Sequence, residues 1–87
     1  MFEQSGLEFP CDFPIKMMGR DTPEFRATAR ALVEAHAGTV SDSSVQAAVS
    51  RNGRFVSVTV TITATSQQQL DDIYRDVSSH DDVLVAL

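Results

Sequence analysis

The chain has 87 residues, which suffices for one compact domain and is too short for a two-domain enzyme. Hydrophobic residues make up 43% and charged residues 22%, as is typical of a globular protein rather than a disordered or fibrous one. The 7 basic and 12 acidic residues give a net charge of −5. This negative charge repels phosphates at long range, which argues against nucleic acid or an anionic membrane as a partner.

Cysteine usage and the start of the chain bear on cofactors and location. The single cysteine, Cys11, excludes an internal disulfide, and no Cys/His cluster has zinc spacing, so we expect no metal, no cofactor and a reducing compartment. Residues 1–10 resemble no targeting signal, and no segment approaches the roughly 18 apolar residues of a membrane span. We expect a cytoplasmic protein with a flexible or draped arm over residues 1–10 and a single domain over residues 11–87.

The first half of the chain predicts a strand followed by a helix. Apolar and polar residues alternate from Asp12 to Met18, which predicts a strand that Gly19 ends. Thr22 then suits the N-cap position, and Pro23 suits the first helical position, where no amide donor is needed. The apolar residues that follow have helical spacing and predict a helix to about His36.

A hairpin is predicted in the middle of the chain. Its strands cover residues 44–51 and 55–64, and Asn52-Gly53 predicts a type I′ turn between them. The second of these strands is strongly β-branched. Its even-numbered residues from Val56 to Ile62 are expected to be buried, and its odd-numbered residues are expected on an open face.

The last part of the chain predicts a helix and a closing strand. Ser66 and Gln69 form a capping-box pattern that opens the helix, and residues 83–87 alternate as a strand with Leu84 and Ala86 on the open face. The predicted fold class is therefore α+β, a ferredoxin-like βαββαβ two-layer sandwich. Its four-stranded antiparallel sheet has the order 4-1-3-2, with both helices on one face.

Short motifs along the chain carry a resemblance to one family. The motifs are Phe9-Pro10, Phe13, Ile15-Lys16-Met17-Met18-Gly19, Gly53, Phe55, Ser57-Val58-Thr59-Val60, Gln69-Leu70, Ile73-Tyr74, Val83 and Leu87. From about Leu7 to Leu87 the chain thus resembles the YbeD-like family of small bacterial proteins. The resemblance implies a fold similar to ACT regulatory domains, no established enzymatic activity, and a regulatory role associated with lipoate metabolism.

ACT domains bind small effectors after the first strand and at the start of the first helix, commonly across a dimer interface. By this analogy Gly19 would admit a ligand to the backbone, Arg20 would pair with a carboxylate and Asp21 with an ammonium group. The alternative is a solvated loop that only turns the chain. Lys16 and Met18 belong to the mixed open face of the sheet, which is a candidate contact surface. The candidate binding residues are Lys16, Met18, Gly19, Arg20 and Asp21, and no residue is proposed as catalytic.

Two other classes of protein, with different functions, share this topology. Acylphosphatases hold phosphate in the loop after the first strand, but the segment from Gly19 to Arg26 lacks the glycines for such a loop, and no nucleophile and base pair is visible. RNA-recognition modules place aromatic residues on the open face, where this chain offers Phe55 but no aromatic partner on the first strand. Both remain alternatives, as a small phosphoryl or acyl hydrolase and as an RNA-binding module.

The leading expectation is a non-enzymatic regulatory or adaptor domain. Its expected ligand is a protein partner or a small carboxylate effector, with no nucleic acid and no membrane. The two edge strands and the open face leave a homodimer as a further option.

Overall fold

The computed structural model describes residues 6–87 and confirms the ferredoxin-like fold class. Its strands and helices are β1 (Cys11–Arg20), α1 (Pro23–Ala37), β2 (Val45–Val49), β3 (Phe55–Ala64), α2 (Gln67–Ser79) and β4 (Val85–Ala86), with a short 3-10 turn, Asp42–Ser44, before β2. The sheet order β2-β3-β1-β4 is the predicted 4-1-3-2 order counted from the opposite edge, and all neighbours are antiparallel. The predicted arm falls partly on residues 1–5, which lie outside the described residues. Neither α1 nor α2 is long and apolar enough to cross a membrane.

The centre of the sheet is the pair β1 and β3, which run side by side over their full length. Their register extends from Cys11 opposite Ala64 to Arg20 opposite Phe55. On the helix side, alternate residues of both strands are buried against α1 and α2, as the sequence pattern predicts. The buried core consists of Ile15, Met17, Phe25, Ala29, Val33, Val56, Val58, Val60, Ile62, Ala64, Leu70, Ile73 and Val77.

Both helices begin at the predicted caps. The Thr22 hydroxyl oxygen accepts a hydrogen bond from the Phe25 N–H at 2.9 Å, and the Ser66 hydroxyl oxygen accepts one from the Gln69 N–H at 3.1 Å. The capping box is only half formed, however. The Gln69 carboxamide accepts from the Thr65 N–H at 2.8 Å and donates to the His36 carbonyl at 3.0 Å, so it joins the start of α2 to the end of α1.

The predicted type I′ turn between β2 and β3 is wrong. That turn needs a positive φ at both central residues, whereas Gly53 has φ 75° and Asn52 is not in that region. The connection spans residues 50–54, since Val49 opposite Val56 is the last strand pair. Within it the Asn52 side-chain oxygen accepts from the Arg54 N–H at 3.1 Å, a local bond typical of asparagine in turns.

The predicted bounds of β1 and β4 also need correction. β1 does not end at Gly19, because Gly19 and Arg20 pair with Val56 and Phe55 of β3. β4 is only Val85–Ala86 and has the opposite alternation to the prediction: Val85 pairs with Met18 on the open face, whereas Ala86 faces the helices. The Leu84 N–H also donates to the Met18 carbonyl at 2.8 Å, so Leu84 and Val85 both lie opposite Met18, as in a β-bulge. The alternation of side chains between the two faces changes at this bulge.

The connection from α1 to β2 is held by one carboxylate and one guanidinium. The Glu34 carboxylate accepts from the Val40 N–H at 2.9 Å and from Arg30 at 3.3 Å, while Arg30 also donates to Asp42 at 2.7 Å and to the Val40 carbonyl at 2.6 Å. The bond from the Val40 N–H and the one from Arg30 lower the pKa of Glu34 below its ordinary value of 4.5.

We expect this connection to make stability depend on pH through Glu34. Because the pKa of Glu34 is lowered in the folded state, its carboxylate stabilises the fold above about pH 4.5, the ordinary pKa value. This stabilisation is lost as the pH falls through the folded-state pKa. Glu34→Gln should therefore melt at a lower temperature than the native protein at pH 7, and the difference should narrow in acid. Thermal unfolding between pH 3 and 7, with Glu8→Gln as a control in the exposed segment before β1, measures this. A difference that stays constant with pH would contradict the assignment.

Candidate functional site

The open face of the sheet carries a row of three side chains from β1, which we call the outer row: Lys16, Met18 and Arg20. They alternate with the buried Ile15 and Met17 and therefore point away from both helices. Lys16 and Arg20 are exposed and Met18 is half-buried. Within residues 6–87, no carboxylate lies at ion-pair distance from either cation.

Phe55 of β3 supports one end of the outer row. It lies directly opposite Arg20, and the Arg20 guanidinium lies 5.7 Å from the centre of the phenyl ring. This cation–π contact holds the long Arg20 side chain against the sheet while its N–H groups stay exposed. The sequence does not show this contact, because it depends on β1 extending to Arg20.

Two shallow hollows flank the outer row on the side of β2. One, of about 210 Å³, lies among Met18, Ala48 and Phe55, and the other, of about 190 Å³, lies among Lys16, Gln46 and Thr59. The first is mainly apolar and the second is polar. A flexible ligand lying along the sheet would thus meet an apolar and a polar surface side by side.

On the other side of the outer row, β4 and the residue that follows it add two exposed apolar side chains that sequence reasoning did not place on the open face. Val85, opposite Met18, is 44% exposed, and Leu87, whose backbone bonds to that of Lys16, is 64% exposed. Of the two predicted open-face residues, Ala86 faces the helices, whereas Leu84 is 55% exposed and lies beside Arg20. No local sequence signal reports the bulge that causes the change.

Gly19 has a structural role rather than the predicted role in ligand approach. It is buried within β1, and a Cβ atom there would lie 2.5 Å from the Phe25 ring and 2.6 Å from the Asp82 carbonyl oxygen. The absence of a side chain therefore lets the start of α1 and the turn before β4 pack against the strand. A ligand has no space to approach the backbone from that side.

Asp21 also differs from its predicted role. Its carboxylate binds Arg26 in a bidentate manner, with Oδ1 to Nε at 3.0 Å and Oδ2 to Nη2 at 3.1 Å. These hydrogen bonds raise the pKa of Arg26. Asp21 is thus already paired with a cation of its own chain, and that cation, Arg26, ends the segment compared with the phosphate loop of acylphosphatases.

A third hollow lies between the start of α1 and the turn before β4. It has a volume of about 230 Å³ and is lined by Arg20, Thr22, Phe25, Asp81, Asp82 and Leu84. The carboxylates of Asp81 and Asp82 repel a ligand that carries only a carboxylate. A zwitterion fits better, because its carboxylate can lie near the Arg20 guanidinium and its ammonium group near the two carboxylates. Sequence reasoning missed Asp81 and Asp82, which it treated only as the end of α2.

The remaining titratable groups form no metal-binding cluster in the described part of the chain, residues 6–87, where no three His, Cys, Asp or Glu side chains come together. His36 instead pairs with Asp76 and bridges the two helices. Cys11, half-buried at the start of β1, is a free thiol.

The fold and the open face together define a small α+β sandwich with an uncovered sheet, and comparisons place it among known proteins. The model of a family described as a protein of unknown function, DUF493, matches residues 4–87. The chain is 46% identical to a UPF0250 protein of Paraburkholderia phytofirmans over 97% of its own length and 94% of that protein, and 40% identical to one of Nitrosomonas europaea over the full length of both. The chain therefore belongs to the DUF493/UPF0250 family of small bacterial proteins of unknown function, in agreement with the YbeD-like resemblance.

A solved structure supports the fold. The solution structure of protein HP0495 from H. pylori superimposes with a TM-score of 0.74 at 18% identity, covering 93% of this chain and 85% of that protein. At this level of identity the likeness concerns the fold alone.

The packing around Gly19 gives a stability prediction. Gly19→Ala should destabilise the protein by about 1–3 kcal/mol in chemical denaturation, because the added methyl group must displace the Phe25 ring and the Asp82 backbone. Ser57→Ala, on the outer face of β3, is the matched control and should change stability by less than about 0.5 kcal/mol. The cost of Gly19→Ala should shrink in a Phe25→Leu background, since the two side chains compete for one space. An equal cost in both backgrounds would show that Phe25 is not the obstacle.

Proposed function

We propose that this protein is a non-enzymatic adaptor domain that binds an acidic segment of a protein partner across the open face of its sheet. The observation that carries the proposal is the outer row, in which two cations that pair with no carboxylate of residues 6–87 flank Met18 on the open face. The residues assigned to binding are Lys16, Met18 and Arg20, with Phe55 holding Arg20 in place.

Charge supports this assignment. The chain as a whole carries −5, yet four cations within residues 6–87, namely Lys16, Arg20, Arg51 and Arg54, form no ion pair with a carboxylate. Two of these lie in the outer row. Arg51 and Arg54 lie in the turn between β2 and β3. This turn adjoins the Arg20 end of the outer row, since the Arg54 carbonyl accepts from the Asp21 N–H at 2.9 Å. A local positive surface on an acidic protein attracts acidic partners and repels basic ones.

Apolar surface supports a macromolecular rather than an ionic ligand. Met18 lies between the two cations, and the exposed Val85 and Leu87 continue the apolar strip toward β4. Protein interfaces combine apolar centres with charged rims in this manner. The partner segment is therefore acidic and amphipathic, with at least one apolar side chain between its carboxylates.

We propose further that this binding is regulatory and takes place in the cytoplasm. The YbeD-like resemblance supports the regulatory role and directs the search for partners to lipoate metabolism. A small effector is the second candidate, favoured by the hollow beside Arg20, and the two carboxylates there favour an amino-acid zwitterion over a lipoate-like monocarboxylate.

The partner proposal is tested by reversing the charge of the outer row. Lys16→Glu/Arg20→Glu should lose at least about tenfold in affinity for a partner that the native protein captures from bacterial lysate and that is then purified. Arg75→Glu is the matched control, because Arg75 lies on α2 in the helix layer and pairs there with Asp72. Titration of the purified partner should shift the amide resonances of β1 and β3. Equal binding by both variants, or shifts confined to the helices, would contradict the proposal.

The effector candidate needs a separate measurement. Thermal unfolding with amino acids and with lipoate-related acids should show a rise in melting temperature for a zwitterion that binds beside Arg20, and Arg20→Ala should abolish the rise. Monocarboxylates should have no effect, since Asp81 and Asp82 repel them. Stabilisation that persists in Arg20→Ala would place the effector elsewhere.

A further inference from the structure

The free edge of β2 is an interaction surface that the binding of an acidic partner leaves unused. Among residues 6–87, β2 is the outermost strand on one side of the sheet, and β3 is its only neighbour. Its sequence, Val45–Val49, contains no charged residue and no proline, and Ser44 and Ser50 flank it. Edge strands are normally protected by lysine, proline or a bulge, and β2 has none of these.

The other side of the sheet provides a contrast. β4 pairs only with Met17 and Met18, so the first half of β1 is also an edge. That half carries the exposed Asp12 and Pro14. Proline has no N–H to offer an incoming strand, and a charge disfavours pairing, so this edge is blocked while that of β2 is open.

The backbone pattern of β2 defines which groups face the open edge. The Ser50 N–H donates to the Phe55 carbonyl at 2.7 Å, so Ser50 and Phe55 are a hydrogen-bonded pair of the β2–β3 ladder. Such pairs alternate along antiparallel strands, so Gln46 and Ala48 also direct their backbone groups to β3. The N–H and C=O groups of Ala47 and Val49 and the C=O group of Val45 therefore face the open edge, whereas the Val45 N–H donates to the Asp42 carbonyl of the 3-10 turn.

We propose that the β2 edge binds the β2 edge of a second copy of this chain, antiparallel and with Ala47 on the two-fold axis. In this register Ala47 pairs with Ala47 of the second copy, and Val45 pairs with Val49 of the second copy, in both directions. The two Ala47 residues exchange two hydrogen bonds, and the Val49 N–H of each copy donates to the Val45 carbonyl of the other, which gives about four hydrogen bonds. If one β2 strand is shifted by two residues along the other, one residue pair is lost. A shift by one residue places the outward-facing backbone groups of one strand opposite residues whose backbone groups face β3.

Side chains and charges agree with this register. Val45, Ala47 and Val49 lie on the helix side of β2, opposite Val60, Val58 and Val56, yet Val49 is 52% exposed and Ala47 is also exposed. The pairing covers these apolar side chains with those of the second copy. It also brings Arg51 of each copy, which pairs with no carboxylate in the described part of the chain, close to the 3-10 turn of the other copy. The exposed Asp42 of that turn pairs with Arg30 of its own chain.

Sedimentation over a range of protein concentrations, with Ala47 variants, tests the dimer. The native chain should pass from monomer to dimer as its concentration rises. Ala47→Lys places two like charges directly opposite each other and should raise the dissociation constant at least about tenfold. Thr63→Lys, on the exposed outer face of β3, is the matched control and should dimerise as the native chain does. A native chain that stays monomeric at millimolar concentration, or an Ala47→Lys variant that dimerises equally well, would overturn the proposal.

Hydrogen exchange followed by nuclear magnetic resonance tests the register in the native protein without any substitution. The amides of Ala47 and Val49 should exchange quickly in dilute protein and slowly in concentrated protein, whereas those of Gln46 and Ala48 should be protected in both. A dimer whose Ala47 and Val49 amides stay unprotected would place the interface elsewhere. Lys16→Glu/Arg20→Glu should still dimerise, which separates this result from that of the partner proposal.

Discussion

The pairing of β1 with β3 determines which surface of this protein is core and which is open. Their ladder runs without interruption from Cys11 opposite Ala64 to Arg20 opposite Phe55, so each side chain is assigned to one face by its position alone. A slip of β1 by one residue along β3 would turn Lys16 into the core and expose Met17, which is buried. The cost of that exchange fixes the register, and the register aligns Lys16, Met18 and Arg20 into a row.

The end of this ladder shows how packing and the candidate site are connected. Gly19 has no side chain, so the Phe25 ring and the Asp82 backbone close over it from the helix side. The same closure leaves Arg20 no room on that side, and the alternation turns it outward onto Phe55. The space beside Gly19, where the ACT analogy would place a ligand, is thus filled by the protein itself. The exposed charged group is the guanidinium of the next residue, Arg20, on the opposite face of the sheet.

Much of the fold follows from local sequence signals. The bounds of β3, the caps Thr22 and Ser66 and the strand order agree with prediction, because alternation and capping depend on neighbouring residues. The errors have a different origin. The extension of β1 to Arg20 and the bulge at Leu84 depend on contacts between segments that the sequence does not show as neighbours. The pairing of Asp21 with Arg26 joins residues five positions apart and depends on how α1 begins. Of the five predicted site residues, the three in the outer row share one surface, whereas Gly19 and Asp21 are occupied by contacts with their own chain.

The two proposed interfaces use different parts of the same sheet, and this has a consequence for affinity. Strands paired across the two-fold axis keep directly opposite residues on one face, so a dimer through β2 forms one sheet of eight strands, four from each copy, with both outer rows on the same side. A partner with two acidic segments would bind the second row intramolecularly once the first is bound, and the effective concentration depends on the length of the linker between the segments. Dimerisation would therefore strengthen partner binding without any new contact at the outer row, and dilution of the protein would weaken it.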